Sequence, residues 1–382
     1  MASRLGARPQ AARKVESPQG IGFFEKYLTI WVLLCMAAGI LISTYLPGLP
    51  RFLEKMQVAD QNIPIAILIW IMIYPMMLKI DLQSILNVRK RPLGLLISGG
   101  GTWLIKPFLM FGLATLFLRF VFSGLLPSNL AQDFVTGAVL VGTAPCTAMV
   151  FVWSNLTRGD PAHTLVQVSL NDLIILVLFV PFVSLLLGIN DVQIPWATLA
   201  YSVILFVVVP LTAGVISRLS IIKQKGEEYF TDKFVPKFDS ITVLGLLLTL
   251  VIIFSFQGNM ILERPLYVLL IAVPLVLQNL TSFTLTYLLS KTAKLPHNIA
   301  APASLIAASD FFELSVAVAI SLFGPNSPVV LATTVGVLTE VPVMLVLVRI
   351  VNKTRHWFTA PDYATADEVT GVAYAESYAI TE

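Results

Sequence analysis

Hydrophobic residues occur in long runs along this chain, and polar residues collect between the runs. Each run has about 20 residues, the length that an α-helix needs to cross a bilayer. The pattern predicts an all-α polytopic membrane protein with ten transmembrane helices. The ten runs are 23–46, 62–78, 93–121, 134–156, 164–188, 196–218, 240–257, 265–290, 299–323 and 328–350.

Composition agrees with this pattern. Hydrophobic residues make up 57% of the chain and charged residues only 12%, which excludes an ordinary soluble domain. The two cysteines, Cys35 and Cys146, have no CxxC spacing, so a zinc module or a disulfide framework is excluded. A metalloid site with three thiols from one chain is excluded as well.

The distribution of Lys and Arg predicts the orientation in the membrane. Of the 25 basic residues, 20 fall in the connections and tails that are cytoplasmic if the N-terminus is inside, and 4 fall in the outer connections. The remaining one, Lys106, lies within the third run. We therefore expect residues 1–22 and 351–382 to be cytoplasmic tails of a multi-pass protein of the cell (plasma) membrane.

Two of the runs contain groups that lipid does not tolerate. Residues 142–155, GTAPCTAMVFVWSN, include the thiol of Cys146, and residues 307–324, AASDFFELSVAVAISLFG, include Glu313. A carboxylate at membrane depth costs several kcal/mol unless it faces a cavity or a partner. Each segment is predicted to begin a half-helix, with a capping residue three positions before the reactive group. The predicted caps are Thr143 and Asp310.

Matched positions in the two halves of the chain indicate an internal repeat. Three pairs of residues are 167 positions apart and a fourth pair is 168 apart. Two halves of five helices each would insert in opposite directions, which is the inverted-repeat plan of secondary transporters. The pairs are Pro107 with Pro274, Cys146 with Glu313, Thr143 with Asp310, and Asp172 with Glu340.

Other polar residues leave alternatives open. Gln167 and Asn171 share a helix face and are either site residues or hydrogen-bonding contacts between helices. Lys106 could neutralise a buried acid, snorkel to the membrane surface or line an aqueous cavity. The glycines at 99–101 are expected to allow close helix approach. Asp133, Asp239 and Asn298 are predicted helix caps, and His163, His297 and His356 are predicted surface residues.

The chemistry of these groups points to a soft substrate and to protons. A thiol suits a thiophilic centre, whereas Na⁺ prefers oxygen ligands. Carboxylates within the membrane suit a proton that is taken up and released as access alternates.

Three stretches resemble a known family: GTAPCTAMVFVWSN, ASDFFELSVAVAISLFG and VGVLTEVPVMLVLVRIVN. They are similar to the arsenical-resistance-3 family of arsenite efflux permeases, in the bile acid/arsenite/riboflavin transporter superfamily. The resemblance covers residues 23–350. It implies ten helices in a five-plus-five inverted repeat, with broken fourth and ninth helices crossing at the midplane. It also implies a core of helices 3, 4, 5, 8, 9 and 10 and a panel of helices 1, 2, 6 and 7.

The resemblance also implies the site. The family's essential thiol corresponds to Cys146 and its essential acids to Glu313 and Glu340, whereas Asp310 stands where the family commonly has asparagine. As(III) would bind Cys146 as substrate, so arsenite or antimonite and protons are the expected partners. The predicted substrate-binding residues are Cys146, Glu313, Thr147 and Asn171. The predicted proton-coupling residues are Glu313, Glu340, Asp172 and Asp310.

Other functions are weighed against arsenite efflux. The nearest alternative is a Na⁺-coupled organic-anion carrier on the same fold. An intramembrane hydrolase is disfavoured because none of the ten runs contains a histidine to activate the thiol. A receptor without transport would have no reason to bury several ionisable groups. No cofactor, enzymatic activity or nucleic-acid partner is expected.

Overall fold

The computed structural model describes residues 27–58, 61–80, 92–147, 149–189 and 195–360. The predicted N-terminal tail lies outside the described residues, as do positions 361–382 of the predicted C-terminal tail. The connection 81–91, which contributes three basic residues to the orientation argument, also lies outside them.

The described chain is almost entirely helical, apart from a two-residue hairpin in which β1 (Gln57–Val58) pairs antiparallel with β2 (Gln61–Asn62). Residues Arg355–Trp357 add a single 3₁₀ turn. The helices are α1 (Leu28–Tyr45), α2 (Gly48–Lys55), α3 (Ile63–Leu78), α4 (Pro92–Val121), α5 (Ser128–Thr143), α6 (Val150–Leu156), α7 (Pro161–Ile189), α8 (Trp196–Lys225), α9 (Glu227–Glu263), α10 (Pro265–Thr292), α11 (His297–Ala308), α12 (Phe312–Phe323) and α13 (Pro328–Lys353).

Local sequence explains where several helices begin. The Asn62 side chain accepts a hydrogen bond from Ile65 N–H (3.2 Å) at the start of α3, and Ser327 caps α13 through Val329 N–H (3.2 Å). Both are residue types that satisfy free N–H groups at a helix start. Two predicted caps are wrong: Asp133 lies inside α5, and Asn298 is the second residue of α11.

Every predicted run contains helix. Six helices are long and apolar enough to cross a membrane, namely α4, α7, α8, α9, α10 and α13. A seventh crossing is obtained if α1 and α2, which are bent by 95° at their junction, form one span. The chain is therefore a helical membrane protein with at least six such helices in its described part.

The fourth and ninth runs are interrupted. The fourth run consists of α5 and α6, and the ninth consists of α11 and α12. We call the connection 144–149 the first break and the connection 309–311 the second break.

The predicted cap at the first break is wrong. Thr143 is the last residue of α5, where its hydroxyl donates to Val139 O (2.6 Å), and α6 begins only at Val150. At the second break, α12 begins at Phe312 without a side-chain cap, and Asp310 precedes it by two residues.

Helix packing falls into two groups. α1, α3, α8 and α9 make their most extensive contacts with one another, and the helices α4–α7 and α10–α13 pack together around the two breaks. Small residues permit close approach: a Cβ atom built on Gly39 would lie 2.5 Å from Phe254 Cβ, between α1 and α9. Of the glycines at 99–101, only Gly101 lies at such a contact, since Gly99 and Gly100 have no atom within 4 Å of that position.

Candidate functional site

The two breaks contact each other directly. Phe311 N–H donates to Ala144 O (3.0 Å), and Pro145 forms an isolated antiparallel bridge with Asp310. The breaks therefore bring together the ends of four helices, α5, α6, α11 and α12, at one place inside the molecule.

Lys106 of α4 lies against both breaks. Its side chain is completely buried, and its Nζ is 2.7 Å from Asp310 Oδ1. It also donates to Ala144 O (3.2 Å) and Ser309 O (2.6 Å). Of the three roles considered for Lys106, the structure therefore shows neutralisation of a buried acid.

Two further helices hold the second break. Glu340 of α13 accepts hydrogen bonds through Oε1 from the Ser309 hydroxyl and from Asp310 N–H (3.0 Å). Asn279 of α10, with its amide oriented to donate, bonds Ala308 O (3.0 Å) and Asp310 Oδ2 (3.1 Å). Non-helical backbone inside a membrane protein requires such partners, because lipid offers none.

Cys146 lies in the middle of the first break, four residues before α6, and is 1% exposed. It packs against Val150 and Ile306. The Ser309 side chain and the backbone of Met149 also lie near its sulfur. The expected position of Cys146 at a helix N-terminus is wrong, because α6 starts too late.

Acidic groups surround this thiol. Glu340 and Glu313 are the two acids near enough to Cys146 to act on it through their charge. Glu313 lies in the first turn of α12, is 2% exposed, and its Oε2 has no hydrogen-bond partner among the described residues. The structure thus brings the predicted thiol and two of the predicted acids into one buried cluster.

Thr147 and Asp172 face a small cavity next to Cys146. The cavity has a volume of about 30 Å³, enough for about one water molecule. Within the described chain, the Thr147 hydroxyl and Asp172 Oδ1 lack hydrogen-bond partners, and both side chains are buried. The cavity is lined by Met76, Lys79, Ile80, Thr147, Phe151, Leu165, Val168 and Asp172. It lies between α3 of one packing group and α6 and α7 of the other.

Asn171 points into a polar contact between α4 and α7. Its Oδ1 accepts from Trp103 Nε1 (3.2 Å) and from Gln167 Nε2 (3.4 Å). Asn171 therefore makes a hydrogen bond between helices, which was one of the two alternatives, whereas the bond from Gln167 to Asn171 lies within α7. Asn171 Nδ2 and Gln167 Oε1 have no partner within the described ranges.

Sequence reasoning missed three residues of this cluster: Ser309, Asn279 and Trp103. Ser309 could have been found because it directly precedes Asp310 in the second break, where a side chain must serve exposed backbone. Nothing in the sequence around Asn279 or Trp103 distinguishes them from other polar groups in apolar helices.

Two histidines differ from their predicted environment. His163 and His297 are 9% and 3% exposed, whereas His356 is exposed as expected. Cys35 is buried in α1 against the hydrophobic cluster that contains Leu250 and Phe254, which is a packing environment.

Comparison with known proteins identifies relatives across most of the chain. A family model described as Sodium Bile acid symporter family matches residues 66–264. Arsenical-resistance protein Acr3 of Alkaliphilus metalliredigens is 57% identical over 344 residues, which cover 90% of this chain and 96% of that protein.

Two further relatives are more distant. An uncharacterized transporter of Synechocystis, slr0944, is 42% identical over 90% of this chain and 93% of its own length. Arsenical-resistance protein Acr3 of Corynebacterium glutamicum is 34% identical over 87% of this chain and 89% of its own length. With these identities extending through both breaks and the family model covering half of the chain, the protein belongs to the Acr3 arsenical-resistance family within the Sodium Bile acid symporter family.

Proposed function

We propose that this protein exports arsenite, and antimonite as a related substrate, from the cytoplasm across the cell membrane in exchange for protons. One observation carries the proposal: a buried thiol lies where two helix breaks meet, with carboxylates close to it. Two relatives named arsenical-resistance proteins support the choice of substrate.

The thiol supplies the affinity for arsenic. Trivalent arsenic is thiophilic, and one sulfur binds it reversibly, whereas three would trap it. Cys146 would displace one hydroxyl of arsenous acid: the S–H proton and the leaving hydroxyl depart as water, and an As–S bond replaces an As–O bond. Hydrolysis reverses the step on the outer side and regenerates the thiol. The unpartnered hydroxyl of Thr147 lies next to Cys146 and would bond an arsenic hydroxyl.

Ser309 offers a route for the proton of the thiol. The Ser309 hydroxyl donates to Glu340 and lies beside the Cys146 sulfur. Glu340 would therefore take the S–H proton through Ser309 as the As–S bond forms and pass it to the leaving hydroxyl, which departs as water; hydrolysis runs the same relay in reverse.

Protons supply the driving force. Arsenous acid is neutral at physiological pH, so membrane voltage cannot drive its export and a coupling ion is required. Glu313 and Asp172 each have an oxygen without a partner in the described chain, which suits groups that exchange a proton as access alternates.

Alternating access would come from movement between the two packing groups. We assign α1, α3, α8 and α9 to a panel, and the remaining helices around the breaks to a core. The two halves of the chain would form a five-plus-five inverted repeat. Both termini would be cytoplasmic. The separate packing of the two groups and the position of the small cavity between them support this division.

Arsenite uptake into everted membrane vesicles tests the proposal. An imposed proton gradient should drive accumulation by the wild type and by Cys35→Ala, a matched cysteine control in a packing environment. Cys146→Ala and Glu313→Gln should give only background uptake. Glu263→Gln, at the exposed end of α9, should behave as the wild type. Normal accumulation by Cys146→Ala would remove the thiol from the mechanism.

The second candidate is a Na⁺-coupled organic-anion carrier, which the description of the matching family favours. The same vesicles distinguish the two functions when a Na⁺ gradient replaces the proton gradient. Uptake of an organic anion that requires Na⁺ and survives Cys146→Ala would establish the second candidate.

A further inference from the structure

The ammonium group of Lys106 lies in a cage of oxygens contributed by both breaks. Its neighbours are Asp310 Oδ1 at 2.7 Å, Ser309 O at 2.6 Å and Ala144 O at 3.2 Å. The Lys106 side chain is 0% exposed, so bulk solvent does not reach it.

The two carbonyls belong to special positions in the fold. Ala144 is the C-cap of α5 and Ser309 is the C-cap of α11, so each carbonyl lies at the negative end of a helix dipole. Helix C-terminal carbonyls freed by a break, together with a carboxylate, are the oxygen ligands that hold Na⁺ in carriers with broken helices. Here the same type of oxygen set surrounds a cation that is part of the chain.

We propose that Lys106 is a resident cation, which occupies the place of a bound alkali-metal ion and holds the two breaks together without one. Lys106 is thus a positioning residue, and Asp310 is its counter-ion. Both carboxylate oxygens of Asp310 are occupied, one by Lys106 and the other by Asn279.

This assignment deepens the proposed function. It rests on the proposed function only where it explains which ion is coupled to transport. A carrier whose cation is covalently attached needs no Na⁺ to assemble its breaks, so protons can serve as its coupling ion. Asp310 then maintains the structure, and proton exchange falls to acids without a cation partner such as Glu313.

Thermal unfolding of the purified, substrate-free carrier in NaCl and in choline chloride tests the assignment. Lys106→Ser removes the ammonium and leaves space for an ion, whereas Lys106→Met fills the space with an apolar chain of similar length. The wild type should unfold at the same temperature in both salts. Both variants should be less stable in choline chloride, and NaCl should raise the midpoint of Lys106→Ser alone, by about 3 °C or more.

Two results would overturn the assignment. In one, Lys106→Ser is as stable as the wild type in choline chloride, which would mean that Lys106 does not hold the breaks. In the other, NaCl affects Lys106→Ser and Lys106→Met equally, which would mean that the cage has no affinity for an ion.

A double variant keeps the test decisive if Lys106→Ser cannot be purified in either salt. Lys106→Gln combined with Asp310→Asn leaves no unpaired charge, so it should fold and should not respond to NaCl. Failure of this double variant to fold would also overturn the assignment. None of these measurements uses arsenite, so failed arsenite transport would refute the proposed function and leave this inference standing.

Discussion

The two breaks differ in how completely their polar groups are satisfied. The second break has three residues and is held by Lys106, Asn279 and Glu340 from three different helices. The first break has six residues and retains an unpartnered hydroxyl at Thr147 beside a cavity of about 30 Å³. Since a fully bonded segment resists rearrangement, we interpret the second break as the scaffold and the first as the part that receives substrate.

The strongest test of this contrast is at Glu340. Glu340→Leu leaves two buried donors unsatisfied, Ser309 O–H and Asp310 N–H, and should lower the free energy of unfolding by about 2–5 kcal/mol. Glu340→Gln retains an oxygen acceptor, so it should lose much less stability but should lose proton-driven arsenite accumulation. Thermal unfolding and vesicle uptake measure the two effects. Equal destabilisation by both substitutions would contradict the assigned role of Oε1.

Substitution of Asn279 tests whether hydrogen bonds from an uncharged side chain also hold the second break. Asn279→Ala removes the donors to Ala308 O and Asp310 Oδ2 and should cost about 2–3 kcal/mol of unfolding free energy. The control is Asn155→Ala, at an exposed position of α6, which should change stability by less than about 0.5 kcal/mol. Similar unfolding curves for the two variants would show that the second break is held without Asn279.

Substitution of the adjacent residues Gly100 and Gly101 tests how tightly α4 packs against α11, the helix that ends at the second break. A Cβ atom on Gly101 would lie 2.5 Å from Thr286 Oγ1 and 3.0 Å from Ala307 Cβ, so Gly101→Ala should cost about 1–3 kcal/mol. Gly100→Ala meets no neighbour and should be neutral or stabilise the helix by up to about 1 kcal/mol. Chemical denaturation of both variants measures the difference, and its absence would show that α4 can shift at this contact.

The smallest expected effect on stability is at the first break. Thr147→Val removes a buried hydroxyl that makes no hydrogen bond in the described structure, so stability should stay equal or rise by about 1 kcal/mol. Arsenite accumulation should nevertheless fall, because the hydroxyl faces the cavity beside Cys146. The control is Thr136→Val, whose hydroxyl donates to Gln132 O within α5 and whose transport should be normal. Full transport by Thr147→Val would separate Thr147 from the substrate site.

Much of the fold could be predicted from local patterns. Apolar runs specify helices because the backbone of a membrane segment must satisfy its own hydrogen bonds. The interruptions at 144–149 and 309–311 were visible in the sequence as Pro145 and as the acids Asp310 and Glu313 within otherwise apolar runs. The helix boundaries beside them were not, since Thr143 ends α5 instead of capping α6.

The sequence by itself therefore determined that this chain is helical, resides in a membrane and contains a buried thiol and buried acids. Only the tertiary structure decided which of these groups are partners. Lys106 and Ser309 are 203 residues apart, and Asn279 and Glu340 come from two further helices, yet all four meet at the second break. Helix formation depends on neighbouring residues, whereas the pairing of a buried charge depends on the helices that pack around it.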